Sequence, residues 1–361
     1  MNKGPDIAEI IPYVAREFGL GNVVSFEELT AGKVNHTYKV EAYQGDSVQS
    51  FIFQNVNTYV FRRPREVMEN IRRVTEHIER YNPEMLCIHY RTTSSGNTFF
   101  DMITSFWRVY RFIDSVTYNS SKNPVVVRNA GAAFGQFQRS LRNCDSTYLH
   151  YTIKDFHNTT KRYQTLEKDF KKNPLGLSES CRDEYTYIMS MKDKALLLDR
   201  LFAEGRIPVR VTHNDTKINN VLFNEETGEA ICVVDLDTVM PGFAGHDFGD
   251  AVRSCANSMG SASLEFDKVS IDLDIYRAFA EGFLSKTADV LTEEEKDSLA
   301  GSCLVMTLEL ASRYVDDYLT GDRYFKAKYP TQNLDRARNL IALAKDMDRN
   351  MDRMKAIIGE I

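Results

Sequence analysis

Val209-Arg-Val-Thr-His-Asn-Asp-Thr-Lys-Ile-Asn-Asn-Val-Leu-Phe223, followed by Ile231-Cys-Val-Val-Asp-Leu-Asp237, decides how the chain is read. Each half begins in an apolar, β-branched run and ends in polar residues. Asn224-Glu-Glu-Thr-Gly228 between them is turn chemistry. The pattern predicts strand, polar loop, short strand, turn, strand. The loop carries His213, Asp215, Lys217 and Asn220, and Asp235 stands at the end of the next strand.

That spacing suits phosphoryl transfer. The reaction needs a carboxylate to orient the attacking hydroxyl and take its proton, a cation near the γ-phosphate, and oxygen ligands for Mg²⁺. The protein-kinase catalytic loop, H-R-D-L-x-x-x-N, uses its Asp as base and its Asn on the metal. His213-Asn-Asp215-Thr-Lys217-Ile-Asn-Asn220 has His, Asp and Asn at the same offsets. Asp215 is the expected base, and Lys217 the expected catalytic cation facing the phosphates. Asn220 and Asp235 are the expected metal ligands, because Mg²⁺ takes hard oxygen donors and one or two carboxylates beside phosphate. Singly, His213 reads as a core histidine, and the Asp and Asn residues as turn formers. The set on one strand-loop-hairpin frame is what points to a site.

Two nearby motifs compete with this assignment. Asp247-Phe-Gly249 spells the kinase metal motif D-F-G, but it stands too far from Asp215 for the role that Asp235 fills. It is expected to support the loop, or to cap a helix beginning near Asp250. Asp235-Leu-Asp-Thr-Val239, after an apolar strand, resembles the nucleophile motif of haloacid-dehalogenase-type phosphatases, with Asp247 and Asp250 as an acidic pair. In those phosphatases the two motifs lie far apart, on different strands of a parallel sheet. Here only about a dozen residues separate them.

Arg210-Val-Thr-His-Asn-Asp-Thr-Lys217, Asp235-Leu-Asp-Thr-Val-Met-Pro-Gly242, Asp247-Phe-Gly-Asp250 and Gly321-Asp-Arg-Tyr-Phe-Lys-Ala-Lys-Tyr-Pro330 together carry a family resemblance. Over residues 35–340 or so, the chain resembles the aminoglycoside phosphotransferase family of small-molecule kinases. The last stretch is similar to that of the N-acetylhexosamine 1-kinases within it. The resemblance implies an α+β, protein-kinase-like two-lobed fold. A small β-rich N-lobe, residues 1–113, would cover the nucleotide. A larger, mainly helical C-lobe, residues 114–361, would carry the catalytic loop, the metal site and the acceptor site. ATP is implied as phosphoryl donor, Mg²⁺ as cofactor, and an amino sugar, GlcNAc or GalNAc, as acceptor, its anomeric hydroxyl oriented by Asp215. Arg313 and Tyr324 would hold the sugar, one through its fork of donors, the other through a ring face and a hydroxyl. Without the resemblance, Arg313 would pair with Asp317 one helical turn on, and Tyr324 would join the core. Another acceptor of the same family and a non-catalytic nucleotide- or sugar-binding pseudokinase are the alternatives.

Ahead of the loop, residues 6–18 show apolar positions at helical spacing, and two strands follow over 23–27 and 29–40. In a kinase-like lobe the polar turn within the second stretch, with Gly32, Asn35 and Thr37, would cover the ATP phosphates through backbone N–H groups. Ser50-Phe-Ile-Phe-Gln-Asn-Val56 reads as a third strand. It departs from the kinase pattern, because Gln54 stands where V-A-I-K has its lysine. Gln54 can donate a hydrogen bond to the nucleotide but brings no charge. Residues 65–80 form a predicted helix behind Pro64, and 84–113 two more strands, 99–103 and 106–113 flanking a bend, with Trp107 in the core. The family resemblance places the adenine-meeting hinge at Arg111, Phe112 and Ile113.

The rest reads as helix: 124–141, much of 150–205, 272–284, 293–317 and a long closing helix over 336–357. Thr292-Glu-Glu-Glu295 predicts a capping box. The length of 361 residues suits two lobes with real cores. A net charge of −6 argues against a nucleic-acid partner. The six cysteines are scattered without C-x-x-C, as expected of buried thiols in a reducing compartment. With no signal-peptide pattern and no apolar run of spanning length, a cytoplasmic, membrane-free protein is expected. Oligomeric state is not legible.

Overall fold

The computed structural model describes residues 6–29 and 34–361; Gly32, one of the expected nucleotide-covering residues, lies outside them. The chain divides into two compact units, Met1–Ser115 with Leu149–Ile153, and Val116–Tyr148 with Lys154–Ile361.

The first unit holds α1 (Ile7–Glu17), β1 (Val23–Leu29), β2 (His36–Gln44), β3 (Ser47–Val56), α2 (Pro64–Tyr81), β4 (Phe100–Asp101) and β5 (Phe106–Arg111). Its strands form an antiparallel sheet in the order β1-β2-β3-β5-β4. Alternation decides the faces: Tyr38, Val40 and Ala42 are buried while their neighbours on β2 are not. Ile11, Val14, Ala15 and Phe18 join them, with Phe51, Phe53, Trp107 and Val109, in one apolar cluster. Asp6 caps α1 by accepting from the Ala8 N–H at 3.2 Å.

One expectation needs correction here. The strand anticipated over 99–103 shrinks to Phe100–Asp101. Met102 N–H donates to Ser105 O at 2.9 Å, so the chain turns at once and leaves Ile103 fully exposed. The short segment Leu149–Ile153 belongs with the first unit. The Asn70 amide explains it: Nδ2 donates to His150 O at 2.8 Å, and Oδ1 accepts from His150 N–H at 2.9 Å.

The second unit begins with α3 (Pro124–Ser140) and continues through α4 (Thr159–Lys172), α5 (Arg182–Ser190), α6 (Lys192–Ala195) and α7 (Leu197–Ala203). Short strands follow: β6 (Arg210–Thr212), β7 (Val221–Phe223), β8 (Ala230–Val233) and β9 (Met240–Gly242). Five helices complete it: α8 (Ala244–Cys255), α9 (Leu273–Thr287), α10 (Glu293–Thr320), α11 (Gln332–Arg349) and α12 (Met351–Glu360). α3 and α9 touch backbone to backbone. A Cβ on Gly282 would stand 2.0 Å from Arg128 O, and one on Gly131 would stand 2.4 Å from Phe279 O. Only hydrogen fits at these crossings.

α10 starts with the predicted capping box: Glu295 N–H donates to Thr292 Oγ1 at 3.2 Å, and Thr292 N–H to Glu295 Oε2 at 2.9 Å. The same Glu295 takes both arms of Arg210 at 2.6 Å, which ties β6 to the helix start. The closing helix is broken, contrary to expectation. α11 ends at Arg349; the side chain of the following Asn350 turns back to donate to Asp346 O, and α12 starts afresh. All six cysteines are free thiols, and five are buried. Burial pushes Cys87, Cys181 and Cys255 up to about 12, which leaves them unreactive near neutrality. Among the described residues, no helix is long and apolar enough to cross a membrane.

Candidate active site

The loop between β6 and β7 owes its shape to one buried carboxylate. Asp247, in the first turn of α8, accepts from His213 N–H at 2.9 Å and from Asn214 N–H at 2.7 Å. Gln138 Nε2 adds a third donor at 2.6 Å, and Thr216 Oγ1 donates to Asp247 O at 2.5 Å. Burial pushes the Asp247 carboxyl up, against His213 and these donors, which favour its ionised form. The helix starts at Ala244, earlier than the start near Asp250 that the sequence suggested, so Asp247 serves the loop and does not cap the helix. Its neighbours in the D-F-G triplet are structural too. Phe248 is fully buried, and a Cβ on Gly249 would stand 2.4 Å from Ser302 O on α10.

Asn214 adopts a left-handed backbone, with φ +65°. Its side chain stabilises the bend, accepting from Thr212 Oγ1 at 2.9 Å and donating to Thr238 O at 2.9 Å. His213 Nε2 donates to Val234 O at 2.9 Å, while Nδ1 accepts from Asp215 N–H at 3.3 Å. His213 thus locks the loop to the strand that ends at Asp235. Phe134 and Phe137 of α3 pack edge-on against its ring.

Within this frame Asp215 is partly exposed. Lys217 Nζ lies 2.5 Å from Asp215 Oδ1. Asn220 Nδ2 donates to Asp215 O at 2.7 Å and reaches Oδ2 at 3.3 Å. Val234 N–H donates to Asn220 O at 2.9 Å, which brings Asp235 beside Asn220. Asp235 is exposed and left-handed, φ +60°. Burial works against charge on Lys217, but Asp215 and Asp250 outweigh it and push the ammonium above the usual lysine range. Asp250 is itself gripped by Arg253 one turn on. Burial would raise the Asp250 carboxyl, yet Arg253 and Lys217 hold it below its ordinary value.

The donor set fits Mg²⁺. With Nδ2 committed to Asp215, Asn220 has its carbonyl Oδ1 for a cation, and Asp235 adds an exposed carboxylate. Both are hard oxygen ligands. Among the described residues no group of three or more His, Cys, Asp or Glu could hold a metal. A cation here would draw its remaining ligands from phosphate and water, as Mg²⁺ does in phosphoryl-transfer sites.

Two of the expected nucleotide residues in the first unit, Thr37 and Gln54, are bonded to each other. Gln54 Nε2 donates to Thr37 Oγ1 at 3.3 Å, and Gln54 Oε1 accepts from Arg108 Nε at 2.9 Å. Arg108 faces Gln54 in the β3–β5 register and is 0% exposed, with its guanidinium over the Tyr90 ring. Asn35 Oδ1 accepts from Asn57 N–H at 3.0 Å, closing the turn after β3. Arg111 is paired in the sheet, and Phe112 N–H donates to Ser50 O at 3.0 Å. Ile113 O accepts from Ser115 Oγ at 2.9 Å.

Arg313 and Tyr324 come together. The Arg313 guanidinium lies 5.3 Å from the Tyr324 ring centroid, 5.4 Å from Phe156 and 5.2 Å from Phe325. Asp317 serves the segment after α10, accepting from Tyr324 N–H at 2.9 Å and Phe325 N–H at 2.8 Å. Tyr324 is half exposed, so it is not core.

Sequence reasoning missed Arg108 across from Gln54, the pairing of Asp250 with Arg253, and the buried His157 and Glu309. His157 Nδ1 lies 2.8 Å from Glu309 Oε1, and its Nε2 lies 2.9 Å from Asn214 O. Only strand register would have exposed Arg108, and no local motif marks His157 or Glu309.

Residues 25–279 match the model of the phosphotransferase enzyme family. Solved structures share the fold. A microcompartment-associated aminopropanol kinase is 14% identical, with a TM-score of 0.66 over 96% of this chain and 98% of that one. Choline kinase from Cryptosporidium parvum is 12% identical, with a TM-score of 0.61 over 98% and 99%. A spectinomycin phosphotransferase, solved with ADP and spectinomycin, is 12% identical, with a TM-score of 0.60 over 96% and 100%. The small β-rich N-terminal part and larger helical C-terminal part are those of the protein-kinase-like small-molecule kinases.

Proposed function

The chain belongs to the phosphotransferase enzyme family, and from that premise we propose that it is a Mg²⁺- and ATP-dependent kinase of an N-acetylhexosamine. The product is the 1-phosphate of GlcNAc or GalNAc. The observation that carries the kinase reading is the Asp215–Lys217–Asn220 arrangement, with Asp235 brought beside Asn220. Asp215 accepts the proton of the anomeric hydroxyl as its oxygen attacks the γ-phosphorus. The new O–P bond forms as the bond to the β-phosphate oxygen breaks, and ADP leaves. Lys217, 2.5 Å from Asp215, supplies positive charge next to the reacting groups. Asn220 Oδ1 and Asp235 would hold Mg²⁺, which offsets negative charge on the phosphate oxygens.

The nucleotide residues are assigned to the first unit: Gly32, Asn35, Thr37, Gln54 and the backbone of Arg111, Phe112 and Ile113. The division into a nucleotide-covering part, 1–113, and a catalytic and acceptor part, 114–361, belongs to the same proposal. The sugar assignment is supported by the Gly321–Pro330 stretch and by Arg313 held among Phe156, Tyr324 and Phe325. A guanidinium and a phenol with an exposed ring suit the oxygens and flat faces of a sugar. A panel of GlcNAc, GalNAc, choline, aminopropanol and aminoglycosides, read by ADP release, tests it. Turnover of the two sugars is expected. Turnover of another acceptor with none of either sugar would sink the sugar assignment and leave the kinase standing.

Gln54 in the place of the strand lysine favours a second reading, a nucleotide- or sugar-binding pseudokinase. It predicts Mg-ATP binding without phosphorylated product from any acceptor on the panel. Asp215, Lys217, Asn220 and Asp235, all present, favour the kinase.

A further inference from the structure

The residue that leads into Asp215 is held at both its N–H and its C=O. Asp247 Oδ1 accepts the Asn214 N–H at 2.7 Å, and His157 Nε2 lies 2.9 Å from the Asn214 carbonyl oxygen. The His157 side chain is 8% exposed and that of Glu309 is 1% exposed. Thr159 Oγ1 donates to Glu309 Oε2 at 2.6 Å, so the second carboxylate oxygen is also fixed.

The proton count follows from the partners. A carbonyl oxygen cannot donate, so Nε2 must carry hydrogen to face Asn214 O. Nδ1 faces a carboxylate oxygen at 2.8 Å. An ionised Glu309 accepts there, and the ring is then an imidazolium with two donors. We infer that His157, charged by Glu309, is a positioning residue for the catalytic loop: its imidazolium grips the Asn214 carbonyl and fixes the left-handed bend from which Asp215 projects. An anion on the N–H side and a cation on the C=O side orient the same residue.

The surroundings agree. Burial would raise the Glu309 carboxyl, but His157, Thr159 and Arg313 hold it down at about 2. Burial opposes charge on His157, yet Glu309 and the Asn214 carbonyl raise it above the ordinary histidine value. The charged or titratable groups around the pair are Glu309 and Arg313 of α10, His246 and Asp250 of α8, and Arg162 and Tyr163 of α4. The pair also borders the proposed acceptor residues. Phe156, next to His157, stacks on Arg313, and Glu309 precedes Arg313 by one turn of α10.

Calling Asp215 the base rests on the proposed kinase reading, whereas the geometry at Asn214 does not. The test uses the full chain and the variants H157L, H157Q and E309Q. H157L removes the donor and is expected to lower kcat about 10²-fold, the scale of loss from a small misplacement, with the KM for ATP little changed. H157Q keeps a donor near the Nε2 position and should recover most of the loss. In E309Q the ring loses its carboxylate and above the ordinary histidine range, about 6.5, keeps only a neutral Nε2–H donor, so kcat should step down by less than in H157L as pH rises, where the wild type shows no such step. A purely packing role would not generate that step. A folded H157L with wild-type kcat, or an E309Q profile identical to wild type, overturns the inference. Ring ¹⁵N–¹H spectra of labelled protein decide it without any turnover. Two ring N–H signals from His157 at pH 8, reduced to one in E309Q, support the pair, and a single signal in the wild type overturns it. If the wild type turns over no acceptor, the kinase reading fails while these spectra still judge the pair.

Discussion

Asp235 and Asp247 are both acidic residues near the same loop, and they should fail in different ways. Asp235 is exposed and stands beside Asn220, and its proposed role is to meet a cation. Asp235→Asn is expected to raise the KM for ATP as well as lower kcat, with partial rescue by excess Mg²⁺. Asp247 is buried under two loop N–H groups and Gln138. Asp247→Asn puts an amide donor against another donor, a cost of about 1–3 kcal/mol per group left unsatisfied, and should appear as a lower melting temperature whatever the Mg²⁺ level. Kinetics across a Mg²⁺ series together with melting curves separate the two. A Mg²⁺-dependent defect in Asp247→Asn and none in Asp235→Asn would mean that the D-F-G aspartate is the ligand after all. Asp215, Lys217, Asn220 and Asp235 were legible because they sit on one loop and hairpin, where spacing encodes geometry. Arg108 was not: its meaning comes from facing Gln54 across two strands. His157 and Glu309 were silent for the same reason, since each gains its role only where α10 and the chain before α4 meet the loop.

Most elements were readable from periodicity, and the misses share a cause. The strand at 99–103 was cut short by a tight turn between Met102 and Ser105 that its apolar residues do not announce. The closing helix was split by one Asn side chain competing for a backbone carbonyl. The crossing of α3 on α9 was also invisible, because glycine inside a helix looks like a weak helix former until its neighbour is known. Gly282 is the place to test it. With a Cβ 2.0 Å from the Arg128 carbonyl, the helices would have to separate. Gly282→Ala is expected to cost about 1–3 kcal/mol, as overpacking does, although alanine is the better helix former. Urea unfolding checks the sign. A more stable variant would show that helix propensity outweighs the clash.

Two buried titrating groups behind the loop, His246 and Glu309, contribute to how the molecule responds to acid. His246 is pushed down to about 3 by burial and by His157. An unfolded histidine titrates near about 6.5, so between those values the unfolded chain binds more protons and stability falls as pH falls. Glu309, held at about 2, adds stability that is fully present above the unfolded carboxylate value of about 4.3 and is lost below it. The His246 contribution to melting temperature should therefore decline from about pH 6.5 downward, opposed in the same range by Asp316, whose carboxyl burial and the neighbouring Asp169 and Asp317 push up to about 7. His246→Asn should flatten the upper part of that decline, and an unchanged slope would contradict the assignment. For the molecule as a whole, the central claim is that Asp215 helps an N-acetylhexosamine hydroxyl attack ATP. The direct measurement is ³¹P NMR of GlcNAc or GalNAc with Mg-ATP, for the wild type and for Asp215→Asn. The prediction is a sugar 1-phosphate signal growing with ADP in the wild type, and formation about 10²–10⁴-fold slower in the variant, the range of general-base help. No phosphoester signal from either sugar, or equal rates in the two proteins, would contradict it.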